Sequence, residues 1–181
     1  MRILLRLCLV TVLLIVSAVL ARAAGFSGVE GMTATVMQKR QSSFSGLALR
    51  ARFSSDRVVA GFELLPFVEY WRTSATVDPF GITVSRKDAT LGAGVRYVFR
   101  QPGWRPYVGG GLGVHFLSSK VNAPTLGLDD EGDSVIKGGL AAIAGIGFPL
   151  SEHIENFMEL EYHHLPDASQ LKLNMGIGWR P

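Results

Sequence analysis

Residues 90–117 read TLGAGVRYVFRQPGWRPYVGGGLGVHFL, and they predict a hairpin of two long strands, 90–100 and 105–117, joined by a tight turn. Apolar and polar residues alternate along both segments, which is the pattern of a strand with one apolar and one polar face. Each segment is about twice as long as the ~5–6 residues usual in soluble sheets and near the ~9–11 that cross a bilayer. The hairpin therefore predicts a sheet whose strands have membrane-spanning length.

The first 23 residues have the pattern of a secretory signal peptide. Arg2 and Arg6 form a basic start, residues 7–20 are almost wholly apolar, and residues 21–23 read Ala-Arg-Ala, an A-x-A cleavage motif. We expect cleavage after Ala23, with cleavage after the next alanine as the alternative. The mature chain would then be a single domain over residues 24–181.

Removal of this leader changes the charge balance. The full chain has 18 Lys and Arg against 15 Asp and Glu, and the leader holds Arg2, Arg6 and Arg22. The mature chain would therefore carry no net charge, so the basic pI of about 9.2 belongs to the leader and does not indicate a nucleic-acid partner. The single cysteine, Cys8, also lies in the leader, so the exported chain would have no disulfide.

Eight segments of the mature chain alternate in this way, and no continuous apolar run reaches the ~18 residues of a membrane helix. An open sheet would leave backbone groups unsatisfied in lipid, so a membrane sheet has to close on itself. We therefore predict an all-β fold, an eight-stranded antiparallel up-and-down transmembrane β-barrel. The predicted strands are 31–41, 46–54, 58–72, 90–100, 105–117, 134–148, 153–164 and 170–180.

The first strand and the connections carry two further expectations. The first strand has the weakest pattern, and Met32, Ala34 and Val36 form its apolar face. Long polar loops are expected at 73–88 and 118–133, with short turns at most other connections. Long loops at one end and short turns at the other are typical of an outer-membrane barrel whose short turns are periplasmic.

The aromatic residues of the apolar face fall into two groups, as the two interfacial belts of a membrane barrel require. The group near the predicted periplasmic turns is Phe53, Phe99, Phe148 and Trp179. The group near the outer loops is Tyr70, Phe116 and Tyr162.

With these features the chain resembles the small eight-stranded outer-membrane β-barrels of the OmpA/OmpX-like porin superfamily. The resemblance rests on residues 105–117, on 157–164 and on the closing segment 174–181, NMGIGWRP, which is similar to the assembly signal of that family. The family usually ends in Phe where this chain has Pro181. The resemblance implies a monomer in a Gram-negative outer membrane. It also implies membrane lipid, lipopolysaccharide and the barrel assembly machinery as partners, and neither a cofactor nor nucleic acid.

The polar faces of the strands would collect charged side chains inside the barrel. Eight strands leave an interior just wide enough for side chains to fill, and buried charges have to pair. We therefore expect a plugged polar lumen held by ion pairs and no wide pore, with an ion path as the alternative. The residues expected in the lumen are Arg50, Arg52, Glu63, Glu69, Arg96, Lys137, Glu155, Glu159, Glu161 and Lys172.

A catalytic alternative comes from the end of the seventh strand, where Glu159, Glu161, His163 and His164 lie close in sequence. Some eight-stranded barrels are lipid A deacylases that carry a His-x-Ser pair and a Glu on a late strand. Neither histidine here has a serine two residues on, and Ser169 lies outside the pattern, although a hydrolase needs its nucleophile within hydrogen-bond reach of the base. A lipid A-modifying enzyme that uses His163 or His164 with Glu161 is the alternative function, and a transition-metal site in this cluster is a further one.

Two other stretches have ordinary interpretations. Gly109–Gly113 alternates as a strand and lacks the Lys-Ser/Thr and the helix of a phosphate loop. Asp129–Asp133 lacks a full calcium-loop pattern and is interpreted as a solvated loop tip, with weak divalent-ion contact to lipopolysaccharide phosphates as the alternative.

A secreted soluble barrel with an apolar interior is a third hypothesis, and strand length and the glycine-rich polar faces count against it. We favour a non-enzymatic integral outer-membrane protein and assign no catalytic, cofactor-binding or metal residues.

Overall fold

The computed structural model describes residues 25–38, 43–54, 60–77, 82–99, 101–123, 128–166 and 169–181. The predicted signal peptide, residues 1–23, lies outside the described residues and stays a prediction. None of the described segments is a helix with the length and apolarity that crossing a membrane requires.

Eight antiparallel strands follow one another around a closed barrel, and the last strand pairs with the first. The predicted all-β, eight-stranded antiparallel barrel is confirmed. The strands are β1 Gly25–Gln38, β2 Phe44–Ser54, β3 Phe62–Val77, β4 Ile82–Val98, β5 Arg105–Ala123, β6 Leu128–Pro149, β7 Ile154–His164 and β8 Gln170–Trp179.

The outer wall of the barrel is apolar and exposed, as a lipid-facing surface requires. Leu47, Leu112 and Leu140 are 65%, 49% and 57% exposed, although each lies in a strand. The two predicted aromatic belts are confirmed on this wall, and Phe26, Phe62 and Trp104 extend the periplasmic one. Because most of the charged side chains described in the strands face inward, the barrel is the reverse of a soluble barrel with an apolar interior.

The prediction for the first strand is wrong in its start and in its faces. β1 begins at Gly25, and Met32, Ala34 and Val36 point into the lumen, where they are 5%, 2% and 0% exposed. The wall side carries Thr33 instead, whose hydroxyl lies 3.4 Å from the Met175 carbonyl oxygen of β8.

The physical reason is the register of β1. Glu30 pairs with Arg50 of β2 across the strand, and both side chains are buried in the lumen. Since side chains alternate with a period of two, this placement sends every second residue after Glu30 inward as well. The inward apolar residues are accepted because the extracellular end of the lumen is itself apolar, with Phe44 and Trp71 rings 4.4 Å apart.

The two long loops are also predicted wrongly, because most of their residues are strand. β3 and β4 stay paired as far as Val77 and Ile82, and β5 and β6 as far as Ala123 and Leu128. Beyond the bilayer a strand needs no apolar face, so alternation cannot reveal it. Hydroxyl pairs such as Ser74 with Ser85, at 2.8 Å, link the strands there.

These extensions form a four-stranded projecting sheet, made of residues 72–77, 82–87, 118–123 and 128–139 of β3 to β6. β2 pairs with β3 only as far as Trp71, and β7 pairs with β6 only from Leu140. One side of the barrel therefore rises beyond the other at the extracellular end.

The seam between β1 and β8 depends on one glycine. Gly28 has a φ of 144°, and it lies at the register shift of β1. A Cβ atom at this position would collide with the Trp179 carbonyl oxygen and would lie 2.7 Å from the Arg52 guanidinium. A larger residue would therefore push β1 away from β8 at the periplasmic end.

Candidate functional site

The lumen is the candidate site, since the period-two alternation of the strands points most of their charged residues into it, including Glu30 of β1. Most of the predicted lumen charges are buried there, Glu63 is slightly exposed, and Lys137 lies at the mouth, where it donates to the Pro166 carbonyl oxygen at 2.7 Å. Thr90 and Asn174 are also buried in the lumen, and sequence reasoning missed Glu30, Asp88 and Gln170 there.

Arg50 lies at the centre of an ion-pair network in the lumen, between Glu159 and Glu30. Its guanidinium donates two hydrogen bonds to the Glu159 carboxylate, at 2.9 and 3.0 Å, and lies 3.4 Å from Glu30. A bidentate pairing of this kind is the strongest form of ion pair between side chains. Arg50 thereby ties β1, β2 and β7 together across the barrel.

Arg96 and Arg52 continue the network toward the periplasm. Arg96 donates to Glu30 at 2.5 Å and to Glu63 at 2.7 Å. Arg52 pairs with Glu155, a carboxylate that also accepts from Arg180 at 2.6 Å. Carboxylates and guanidinium groups alternate in space, so each buried charge has a partner of opposite sign.

The lumen glycines leave room for these side chains. The Arg96 guanidinium carbon lies 4.5 Å from the centre of the Tyr107 ring, in cation–π geometry. A Cβ atom on Gly145 would lie 2.5 Å from the Tyr107 hydroxyl oxygen. Gly109–Gly113 lies inside β5, in agreement with its interpretation as a strand.

A second chain of polar contacts crosses the upper lumen through two histidines. His115 Nδ1 lies 2.8 Å from Asp88 Oδ2, and His115 Nε2 lies 3.2 Å from His163 Nδ1. His163 Nε2 then lies 2.6 Å from Glu161 Oε1, and Asn174 donates to the other oxygen of Glu161 at 2.8 Å. Four side chains from three strands therefore form a continuous line from Asp88 to Glu161.

The Thr90 hydroxyl supports the Asp88 end of this line. It lies 2.9 Å from His115 Nδ1 and donates to Asp88 Oδ1 at 3.2 Å. The contact between His115 Nε2 and His163 Nδ1 needs one donor and one acceptor, so the hydrogen-bonding roles of the two rings depend on each other.

His163 should therefore matter more than its neighbour in sequence. We expect His163→Gln to lower the free energy of unfolding by about 1–3 kcal/mol, because Glu161 and His115 lose a buried partner. His164→Gln, on the exposed wall, should change it by less than about 0.5 kcal/mol. Denaturant unfolding of the two variants in lipid vesicles compares them. Equal losses would contradict a structural role for the histidine line.

The predicted metal cluster is only partly assembled. Glu69, Glu161 and His163 each offer a ligand atom within 4.8 Å of the others, and all three are buried. The Lys172 ammonium group, however, lies 2.7 Å from both oxygens of Glu69. This lysine already supplies a positive charge to the cluster, so a metal ion would have to displace it.

No protein-family model matches this chain, and no curated protein sequence does. Among solved structures, Ail, the attachment invasion locus protein of Yersinia pestis in complex with the heparin analogue sucrose octasulfate, has a TM-score of 0.62 and 19% sequence identity. The match covers 87% of this chain and 99% of that chain.

Two further solved structures match the fold of this chain. Neisserial surface protein A matches with a TM-score of 0.64 and 13% identity, over 86% of this chain and 96% of that one. A major outer membrane protein from Thermus thermophilus matches with a TM-score of 0.65 and 13% identity, over 86% and 99%. The chain has the fold of the small outer-membrane β-barrels. This fold and the apolar wall together place it in the bacterial outer membrane.

The outer-membrane barrel separates the residues of the catalytic alternative. Glu161 and His163 are joined inside the lumen, whereas His164 is exposed on the wall. Ser169 Oγ lies 3.4 Å from His164 Nδ1 and 3.2 Å from the Leu165 carbonyl oxygen. A serine and a histidine are therefore neighbours on the wall, but the wall separates Glu161 from them.

Proposed function

We propose that this chain is a non-enzymatic, monomeric outer-membrane barrel with a lumen closed to solutes, and that its extracellular side serves surface interaction. The observation that carries the proposal is the ion-pair network across the lumen, centred on Arg50, with its bidentate contact to Glu159. A solute could pass only if several buried ion pairs opened together. Each opening would leave charges without partners in a confined space.

The apolar end of the lumen supports the same proposal. Phe44, Trp71, Ala34 and Val36 form a buried cluster at the extracellular end, and Leu117 packs against it. Water and ions find few hydrogen-bonding or charged partners in this apolar constriction. It therefore adds a hydrophobic barrier above the charged network.

The projecting sheet supports a role in surface interaction. It gives the barrel an ordered surface beyond the membrane, formed by strands that are hydrogen-bonded to one another. Two of the matching structures are, by their names, an attachment protein and a surface protein. Lipopolysaccharide and the barrel assembly machinery are the partners we propose within the membrane, the latter through the closing segment 174–181.

Two measurements test the closed barrel. Unboiled outer-membrane protein should migrate differently from boiled protein on a denaturing gel, and planar bilayers that contain it should show no stable channel current. Recovery of the chain in the soluble periplasmic fraction would contradict the membrane assignment, and a steady single-channel conductance would contradict the closed lumen.

A lipid A-modifying enzyme is the second candidate, and the contact of Ser169 with His164 is the observation that favours it. A serine needs a base whose other nitrogen is oriented by a third group. Mass analysis of lipid A from cells with the wild-type chain or with Ser169→Ala decides between the two. An acyl pattern that changes only with the wild-type chain would support the enzyme.

A further inference from the structure

The charged residues of the outer wall are few and gathered in one place. Among the strand residues whose side chains the structure describes, every Asp and Glu alternates toward the lumen side, and the wall side carries only three Lys or Arg residues. These three are Arg72 of β3, Lys87 of β4 and Lys120 of β5, on adjacent strands and all at the extracellular end.

The strand register places these cations side by side. Arg72 pairs directly with Lys87, and Lys87 pairs with Ser118. Ser85 pairs with Lys120 in the next row of wall-side residues, two residues further from the membrane along each strand. Like charges directly opposite each other on neighbouring strands destabilise a sheet. No described carboxylate pairs with Arg72 or Lys87, so these two positive charges are uncompensated among the described residues.

The depth of the cluster in the membrane follows from the aromatic belt. Tyr70 and Phe116, on the lipid-facing wall, both pair with Ala89, and this row lies directly below the row of Arg72 and Lys87. Two residues along a strand correspond to about 7 Å. The cations therefore lie just outside the aromatic belt, at the level of lipid headgroups.

The cluster also surrounds a hollow of about 220 Å³, lined by its three cations, Arg86, Ser85 and Ser118. Ser118 accepts a hydrogen bond from Ser134 at 3.3 Å, so its own hydrogen is left to donate. Guanidinium, ammonium and hydroxyl donors around one hollow match the oxygens of a phosphate group.

We propose that Arg72 and Lys87, next to Lys120, bind the phosphate groups of a phosphorylated glycolipid in the outer leaflet. Tyr70 of the aromatic belt also lines the hollow, so a lipid can reach it by diffusing in the plane of the bilayer. The acyl chains of the same lipid then lie against the apolar wall below. The inference rests on the outer-membrane location and adds a binding site to it.

The test uses the folded mature chain in detergent micelles, with bis-phosphorylated lipid A as the probe and retained lipid counted by native mass spectrometry. Arg72→Gln/Lys87→Gln is the test variant, and Lys137→Gln, which removes one cation at the mouth of the lumen, is the control. We expect the double variant to bind lipid A at least about tenfold more weakly and the control to bind as the wild type does. Dephosphorylated lipid A should bind the wild type as weakly as intact lipid A binds the double variant.

Three outcomes would overturn the site: equal lipid A binding by the double variant, equal binding of dephosphorylated lipid A, or full displacement of lipid A by millimolar inorganic phosphate. The last would show that a free phosphate occupies the hollow. Gel mobility distinguishes a failure of the lipid site from a failure of the membrane-barrel assignment. A wild-type chain with the same mobility boiled and unboiled contradicts the membrane barrel itself, whereas a folded wild type without bound lipid A contradicts only the lipid site.

Discussion

Replacing Arg50 with glutamine is expected to lower the free energy of unfolding by about 3–5 kcal/mol, the largest loss for any single change in the lumen. The guanidinium holds Glu159 at 2.9 and 3.0 Å and Glu30 at 3.4 Å, and all three side chains are nine-tenths or more buried. Without it, Glu159 keeps only the Asn174 amide as a described partner, at 3.0 Å. An ionised carboxylate in that position is costly.

The double variant Arg50→Gln/Glu159→Gln separates two contributions to the loss of stability: the lost ion-pair contact and the buried carboxylate left without a partner. It should recover more than half of the loss, because removal of both partners leaves no unpaired charge. The measurement is denaturant unfolding in phosphatidylcholine vesicles, followed by tryptophan fluorescence. Arg72→Gln on the exposed wall is the matched arginine control, with a change of less than about 0.5 kcal/mol. A loss below about 1 kcal/mol for Arg50→Gln would contradict the central role of this arginine.

A single charge on the middle of the wall should have the next largest effect. Leu112 pairs with Ala93 on one side and Leu140 on the other, halfway along the crossing part of β5. We expect Leu112→Arg to cost about 2–4 kcal/mol in lipid vesicles, because the charge would lie near the bilayer midplane. Ser45→Arg, on the wall side of β2 at its extracellular end, should cost about 0–1 kcal/mol.

Leu112→Arg and Ser45→Arg together test whether the apolar wall faces lipid, as well as the free-energy cost of a charge on it. In a water-soluble barrel Leu112 would face solvent, and an arginine there would be nearly neutral. If the two variants unfold at the same denaturant concentration, the apolar wall does not face lipid.

The barrel itself could be predicted from the sequence because its signal is local and repeated. Alternation with a period of two, strand length and the positions of aromatic residues are all visible along the chain without knowledge of contacts. They were sufficient for strand number, for the two belts, and for the inward direction of Arg50, Glu159 and Lys172.

The errors arose where the apolar-out pattern is absent. β1 has its apolar residues inside at one end and Glu30 inside at the other, so its correct face depends on pairing with Arg50. The strands of the projecting sheet lie outside the bilayer and need no apolar face, so they resembled loops. Asp88 was therefore assigned to a loop end, although it lies buried in β4.

The contacts inside the site could be predicted even less. His115 and His163 are separated by 48 residues and lie on strands that do not pair directly. Their contact crosses the interior of the barrel, and its geometry depends on strand tilt and on the space that glycines leave. Neither quantity is encoded in a short stretch of sequence.

The projecting sheet has two open edges, because no described residue of β2 pairs with residues 72–77 of β3 and no described residue of β7 pairs with residues 128–139 of β6. Open edges invite strand addition by another chain, and charges along an edge oppose it. The acidic run Asp129–Asp133, predicted as a solvated loop tip, lies on the second of these edges. Its charge would repel the same edge of a neighbouring copy, so an apparently featureless acidic segment can keep crowded barrels from joining through their sheets.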